Sequence, residues 1–108
     1  MRVRRQVSVE YDRIMAEYDA IVGPTTGDVS PLLTKGLDRS TRSTTSAPIG
    51  APGNLAGLPA IAVPNGLGDR GMPTSLQFTG RAWTESRLLA IAMEYQATTE
   101  HHRAVPAG

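Results

Sequence analysis

Two short apolar runs, Ala60–Val63 and Ser75–Thr79, stand close together in the second half of the chain, each closed off by Gly or Pro. Between them Pro64–Gly71 is dense in residues that tolerate positive φ or fix a turn. The pattern predicts two adjacent strands joined by a glycine-rich reversal. Neither strand can bury its face alone, so the flanking segments read as cover. Upstream, Val3, Val7, Tyr11, Ile14, Met15 and Tyr18 recur at helical spacing, with Arg4, Arg5, Glu10, Asp12 and Glu17 mostly elsewhere. That predicts an amphipathic first helix. No Ser, Thr, Asp or Asn precedes it as a cap, which suggests a chain cut from something longer; a natural terminus is the alternative. Ala20-Ile21-Val22 then predicts a short buried strand of an α/β sheet, stopped by Gly23-Pro24.

From Thr25 to Gly53 the periodicity is lost. Leu32, Leu33 and Leu37 could make one helical turn, and Thr41–Ser46 is a hydroxyl run flanked by arginines. Irregular stretches of this length are usually flexible loops, functional lids or segments awaiting a partner. After the paired strands, Thr84 is placed to cap a second helix, with Glu85 in its first turn. Leu88, Leu89, Ala92, Tyr95 and Gln96 follow on one face, widened by Ile91 and Met93. The expected organisation is one partial domain. Residues 1–23 give a helix plus strand, 24–53 an irregular loop, and 54–80 two strands with a Gly-rich turn. Residues 83–100 give a helix and 101–108 a tail.

Composition sharpens this picture. In 108 residues there is one Phe and one Trp, much of the apolar share is alanine, and 11 Gly and 8 Pro interrupt the rest. Such a chain is short of large core residues. A net charge of +1 calls for neither nucleic acid nor a membrane surface, and no apolar run approaches a membrane span. The absence of cysteine removes disulfides and thiolate chemistry, and a cytoplasmic setting is the default expectation.

Candidate chemistry is sparse. Gly66-Leu67-Gly68-Asp69-Arg70-Gly71 matches G-x-G-x-x-G, but a dinucleotide site needs that loop to open a helix, and here Met72-Pro73 and a strand follow. A turn is the expectation. His101 and His102 are adjacent, so they diverge on a helix, and no carboxylate or cysteine stands at ligand spacing. No metal and no cofactor are expected. Lys35 could activate a serine in principle, yet nothing in the irregular segment fixes its position, so the chain alone offers no catalytic set.

Asn54-Leu55-Ala56-Gly57-Leu58-Pro59-Ala60-Ile61-Ala62-Val63-Pro64, the Gly-rich turn, Met72-Pro73-Thr74-Ser75-Leu76-Gln77 and Gly80-Arg81 resemble the C-terminal part of amidase signature enzymes. Tyr18–Thr25 and the helix Glu85–Tyr95 add to the match in the same order. The resemblance covers most of the chain apart from Asp28–Pro52. It implies the C-terminal part of an α/β fold, a mixed sheet flanked by helices and incomplete on its own. It also implies amide-bond hydrolysis by a serine–cis-serine–lysine triad whose residues lie upstream of the matched segment, so no residue here inherits a catalytic role. Where some members carry a substrate-binding acidic residue, this chain has Ala47-Pro48-Ile49-Gly50.

Strand ends hold ligands in open α/β sheets, so Thr25 and Thr26, after Pro24, are candidates for a substrate-pocket wall. Asn54 is a third, with backbone bonding in a loop as its structural alternative. Three functions stay open: the C-terminal fragment or subunit of an amidase, a non-catalytic partner that completes or regulates another amidase chain, and an independent binding module. The first two imply another protein chain, or self-association, and a small amide substrate in the assembled state.

Overall fold

The computed structural model describes residues 2–25, 29–30, 32–35 and 50–107, without the side chains of residues 35, 50 and 51. Helix α1 runs Arg2–Met15 and strand β1 runs Ile21–Pro24; after a 3-10 turn at Leu33–Lys35 comes helix α2, Gly50–Ala56. Strands β2, Ala60–Leu67, and β3, Pro73–Thr79, precede helix α3, Glu85–Ala97, and a 3-10 turn at His101–Arg103. The three strands form one antiparallel sheet in the order β1-β3-β2, so the last strand in sequence is the central one.

The period-2 alternation of β3 organises the layers. Leu76 and Phe78 face one side, opposite Val63 and Ile61 of β2, while Ser75, Gln77 and Thr79 face the other. Helix α3 lies across β2 and β3 on the apolar side and contributes Leu88 and Ala92 to a core with Val63 and Phe78. Ala20, Ile61, Leu76, Ile91 and Tyr95 pack around it. Phe78 and Tyr95 meet edge to face, with ring centroids 6.1 Å apart, a geometry that adds about 0.5–1.5 kcal/mol to simple burial. On the opposite side α2 rests against β3, and α1 rests against α2.

Several sequence expectations are corrected. The irregular stretch 24–53 does not reach Gly53, because α2 begins at Gly50 and takes in Asn54, Leu55 and Ala56. Pro52 is tolerated there since the first turn of a helix leaves its N–H groups unbonded anyway. What ends this helix is Gly57 at φ 74°. The Leu58 N–H donates to the Gly53 carbonyl at 3.0 Å and the Gly57 N–H to that of Asn54 at 3.2 Å, the paired closure that a left-handed residue permits. Pro59 then prevents any continuation of the helix. The Asn-Leu-Ala-Gly-Leu-Pro run is thus a helix stop that delivers the chain into β2.

Strand β1 is not a fully buried strand. It lies at a sheet edge, and Val22 is 56% exposed. Helix α1 ends three residues before Tyr18, which is exposed together with Val3 and Ile14; of the predicted face only Met15 is fully buried. Thr84 occupies the N-cap of α3 without capping it through its side chain. Its Oγ1 instead donates backward to the Arg81 carbonyl at 2.6 Å, and its own carbonyl accepts the Leu88 N–H at 3.1 Å.

The reversal between β2 and β3 is tighter than the predicted loop. The ladder itself reaches Leu67, past a bulge between Pro64 and Gly66. Thr74 Oγ1 bonds the extra residue, Asn65, at Oδ1 (2.7 Å). The turn proper is closed by the Gly68 N–H donating to the Met72 carbonyl at 2.7 Å and by Arg70 and Gly71, at φ 57° and 66°. A Cβ on Gly71 would meet nothing within 4 Å. Gly71→Ala is therefore expected to cost about 1 kcal/mol through backbone conformation alone. Urea titration would register this as a lower midpoint with an unchanged slope.

Candidate functional site

The sheet face opposite α3 carries a row of neutral polar groups. Ser75, Gln77 and Thr79 point to it from β3, and across the ladder from them stand Thr25, Gly23 and Ile21 on the β1 side. Pro64, Ala62 and Ala60 stand on the β2 side. The Thr25 N–H donates to the Ser75 carbonyl at 3.1 Å, and Ser75 Oγ donates to Thr25 Oγ1 at 2.8 Å. Gln77 Nε2 reaches Thr79 Oγ1 at 3.4 Å. Gly23 and Ala62 flank Gln77, so its side chain stands between two small residues in the middle of the row. Thr79, fully buried, closes one end under Gly53 of α2: a Cβ built on Gly53 would stand 3.5 Å from the Thr79 methyl.

This arrangement can hold and orient a neutral polar group through hydroxyl and carboxamide hydrogen bonds. It cannot activate a nucleophile, because no ionisable side chain stands on the row and a serine needs a base within hydrogen-bond reach. Among the described residues no group of three His, Cys, Asp or Glu is arranged to hold a metal ion. His101 lies with its ring 3.7 Å from where a Cβ of Gly66 would be, at the far end of β2. The Lys35 side chain lies outside the described residues. The Gly-rich loop holds a single 3-10 turn, Asp69–Gly71, and then opens β3 rather than an α-helix, so no α-helix follows its glycines as a dinucleotide site would need. Among the described residues an open groove runs along α1, lined by Gln6, Val7, Glu10, Tyr11 and Ile14. It is the bare flank of a helix with no constellation of reactive groups.

Of the three residues singled out from sequence, Thr25 stands half-buried at one end of the row, bonded to Ser75. Thr26 lies outside the described residues. Asn54 sits in the last turn of α2 with its side chain exposed, and its backbone carbonyl takes part in the helix stop. α2 lies over the Thr79 end, four strand positions from Ser75, or roughly 13 Å along β3. The structure therefore puts Thr25 and Asn54 at opposite ends of one face and does not bring them together. Sequence reasoning missed Ser75 and Gln77 by taking Ser75–Thr79 as one apolar run. The strict alternation Ser-Leu-Gln-Phe-Thr was the signal that two faces were being served.

With this fold and face in view, the chain belongs to the amidase family: the family's sequence profile, described as Amidase, matches residues 1–89. It is 38% identical over 107 residues to a glutamyl-tRNA(Gln) amidotransferase subunit of Oceanobacillus iheyensis, covering 97% of this chain and 22% of that protein. It is 39% identical over 106 residues to the corresponding subunit of Bordetella petrii, covering 97% and 21%. The fold is similar to that of the peptide amidase PAM, solved in complex with the competitive inhibitor chymostatin. There the TM-score is 0.73 and the identity 30%, over 99% of this chain and 22% of that one. It is also similar to the glutamyl-tRNA(Gln) amidotransferase subunit of Thermotoga maritima, with a TM-score of 0.67 and 32% identity over 92% and 22%. The chain spans about a fifth of the length of these relatives, and its helices and sheet are a segment of the α/β amidase signature fold. Among the described residues no helix is long and apolar enough to cross a membrane.

Proposed function

We propose that this chain is a sheet-and-wall segment of an amidase, a hydrolase of carbon–nitrogen amide bonds whose serine–cis-serine–lysine triad is supplied by residues outside these 108. The observation that carries the reading is the match to amidases along nearly the whole chain, combined with a polar face that can bind but holds no base. Thr25, with Ser75 and Gln77, forms the wall at one end, where Thr26 continues it, and Asn54 borders the other. The substrate is a small amide held by neutral hydrogen bonds. A reducing, cytoplasmic setting goes with a chain free of cysteine.

A second reading, a non-catalytic partner that completes or regulates another amidase chain, is favoured by two sheet edges that no described strand pairs and by relatives that are themselves subunits of an amidotransferase. Both readings expect the isolated chain to hydrolyse neither simple amides nor activated esters. A panel of such substrates tests this, and turnover that survives repurification would overturn both. Co-expression with the Thermotoga maritima amidotransferase subunit, deleted for the segment matching this chain, is expected to restore amide hydrolysis under the first reading. A complex without turnover selects the second.

A further inference from the structure

We propose that Asn65 and Gly66 form a self-modifying site. The Gly66 backbone nitrogen displaces the Asn65 carboxamide nitrogen as ammonia, with Thr74 polarising the carbonyl and His101 moving the proton. Every group involved belongs to this chain, and the chemistry holds whether or not the chain serves an amidase. An asparagine side chain carries an electrophilic carbon next to the backbone nitrogen of the following residue. Attack closes a cyclic imide once the two are brought together, and a glycine in second place puts no side chain in the way. A regular strand works against this, because its extended backbone sends each side chain away from the chain axis. The bulge lifts that restriction. Asn65 is the extra residue between Pro64 and Gly66, and Gly66 stands at φ 131°.

The side chains around the bulge favour the attack. Thr74 Oγ1 stands 2.7 Å from Asn65 Oδ1 and 3.2 Å from the Gly66 carbonyl oxygen. A hydroxyl within reach of both holds the carboxamide over the Gly66 peptide, the near-attack placement from which intramolecular reactions gain most. The same hydroxyl donates to Oδ1, where negative charge develops as the nitrogen adds, so the bond strengthens in the transition state. His101 comes from the 3-10 turn that packs on β2. Its Nδ1 and Cε1 stand 3.7 and 3.8 Å from where a Cβ of Gly66 would be, in the space the absent side chain leaves. The Gly66 nitrogen lies beside that space, so its proton passes to the imidazole directly or through a water. His101 is exposed and Asn65 only half-buried, which admits the water that later opens the imide.

The bonds balance with water as the only co-reactant. The Gly66 nitrogen adds to Asn65 Cγ as His101 takes its proton. The Cγ–Nδ2 bond then breaks, and His101 returns the proton to Nδ2, which leaves as ammonia. Water opens the imide at either carbonyl: cleavage at Cγ gives aspartate, and cleavage at the Asn65 backbone carbonyl gives isoaspartate, with the chain rerouted through Cβ. The net change is carboxamide plus water to carboxylate plus ammonia. Isoaspartate lengthens the backbone at the bulge, so the pairing beyond it, Gly66 and Leu67 with Thr74 and Pro73, is expected to open.

The test incubates the 108-residue chain at physiological pH and temperature. Peptide mapping follows the mass gain at Asn65, and an isoaspartyl methyltransferase scores the rerouted product. Native wild type is expected to convert faster than a free peptide of residues 62–67. Conversion is expected to slow at least about tenfold in Thr74→Val and in His101→Phe, each losing one contact to the reacting atoms. His101→Phe keeps a ring over Gly66. Loosening of the hairpin alone would instead speed the reaction in both variants, so the sign separates catalysis from restraint. Conversion in either variant that equals or exceeds the wild-type rate overturns the proposal. So does a wild-type chain that stays intact at Asn65 while the peptide converts, a result that needs no variant to fold.

Discussion

Leu88→Ala is expected to lower the unfolding free energy by about 2–5 kcal/mol, the usual range for emptying a well-packed leucine site. Leu88 is 2% exposed and meets Val63 and Phe78 across the sheet face and Ala92 one turn along its own helix. Few large apolar side chains are buried beside it, since the core of the described residues is Met15, Val63, Phe78, Leu88 and Ala92. Small domains carry only about 5–15 kcal/mol in total, so this loss is a large share of the whole and leaves little cooperative unfolding to observe. The neighbouring Leu89 is the control. It is exposed on the outer side of α3, and Leu89→Ala is expected to shift stability by no more than about 0.5 kcal/mol. Urea titrations followed by circular dichroism separate the two variants. Equal effects would mean that α3 does not dock through Leu88.

How far this arrangement could be read from sequence depended on whether a signal was local. The spacing of Leu88, Ala92 and Tyr95 was enough for α3, and Gly and Pro at the ends of the two apolar runs were enough for β2 and β3, because periodicity and turn chemistry act over a few residues. α2 was illegible for the opposite reason. Gly50, Pro52 and Gly53 are poor helix formers, and the segment is held by the closure at Gly57 and by packing on Thr79, which is far away in sequence. β1 was recognised as a strand and mistaken for a buried one, since three apolar residues in succession look the same whether a neighbouring strand is present or not. Thr25 was singled out from the rule that strand ends hold ligands, a role that stays a proposal; its bonding to Ser75, fifty positions on, was not legible. The resemblance to amidases supplied what periodicity could not, the identity of the fold to which these three strands belong.

Gly80→Ala is expected to cost about 1–3 kcal/mol, as overpacking of a tight contact does. Gly80 follows β3 and its N–H is committed to the Pro59 carbonyl at 3.0 Å, so its backbone cannot drift outward without losing a bond that holds β2. A Cβ there would stand 2.7 Å from Thr84 Oγ1 and 3.1 Å from both Cγ and Cδ2 of Leu88. Neither neighbour yields easily: Thr84 Oγ1 is engaged with the Arg81 carbonyl, and Leu88 is enclosed in the core. The strain therefore falls on the junction that seats α3 against the sheet. Thr84→Ala removes the nearer obstacle. The double variant Gly80→Ala/Thr84→Ala is accordingly expected to be more stable than the sum of the single losses by about 0.5 kcal/mol or more, the non-additivity of residues in contact. Thermal or urea unfolding of the four proteins in the cycle measures this coupling. Strict additivity would show that the β3–α3 junction relaxes elsewhere and that the close approach of Gly80 to Thr84 does not set the position of α3.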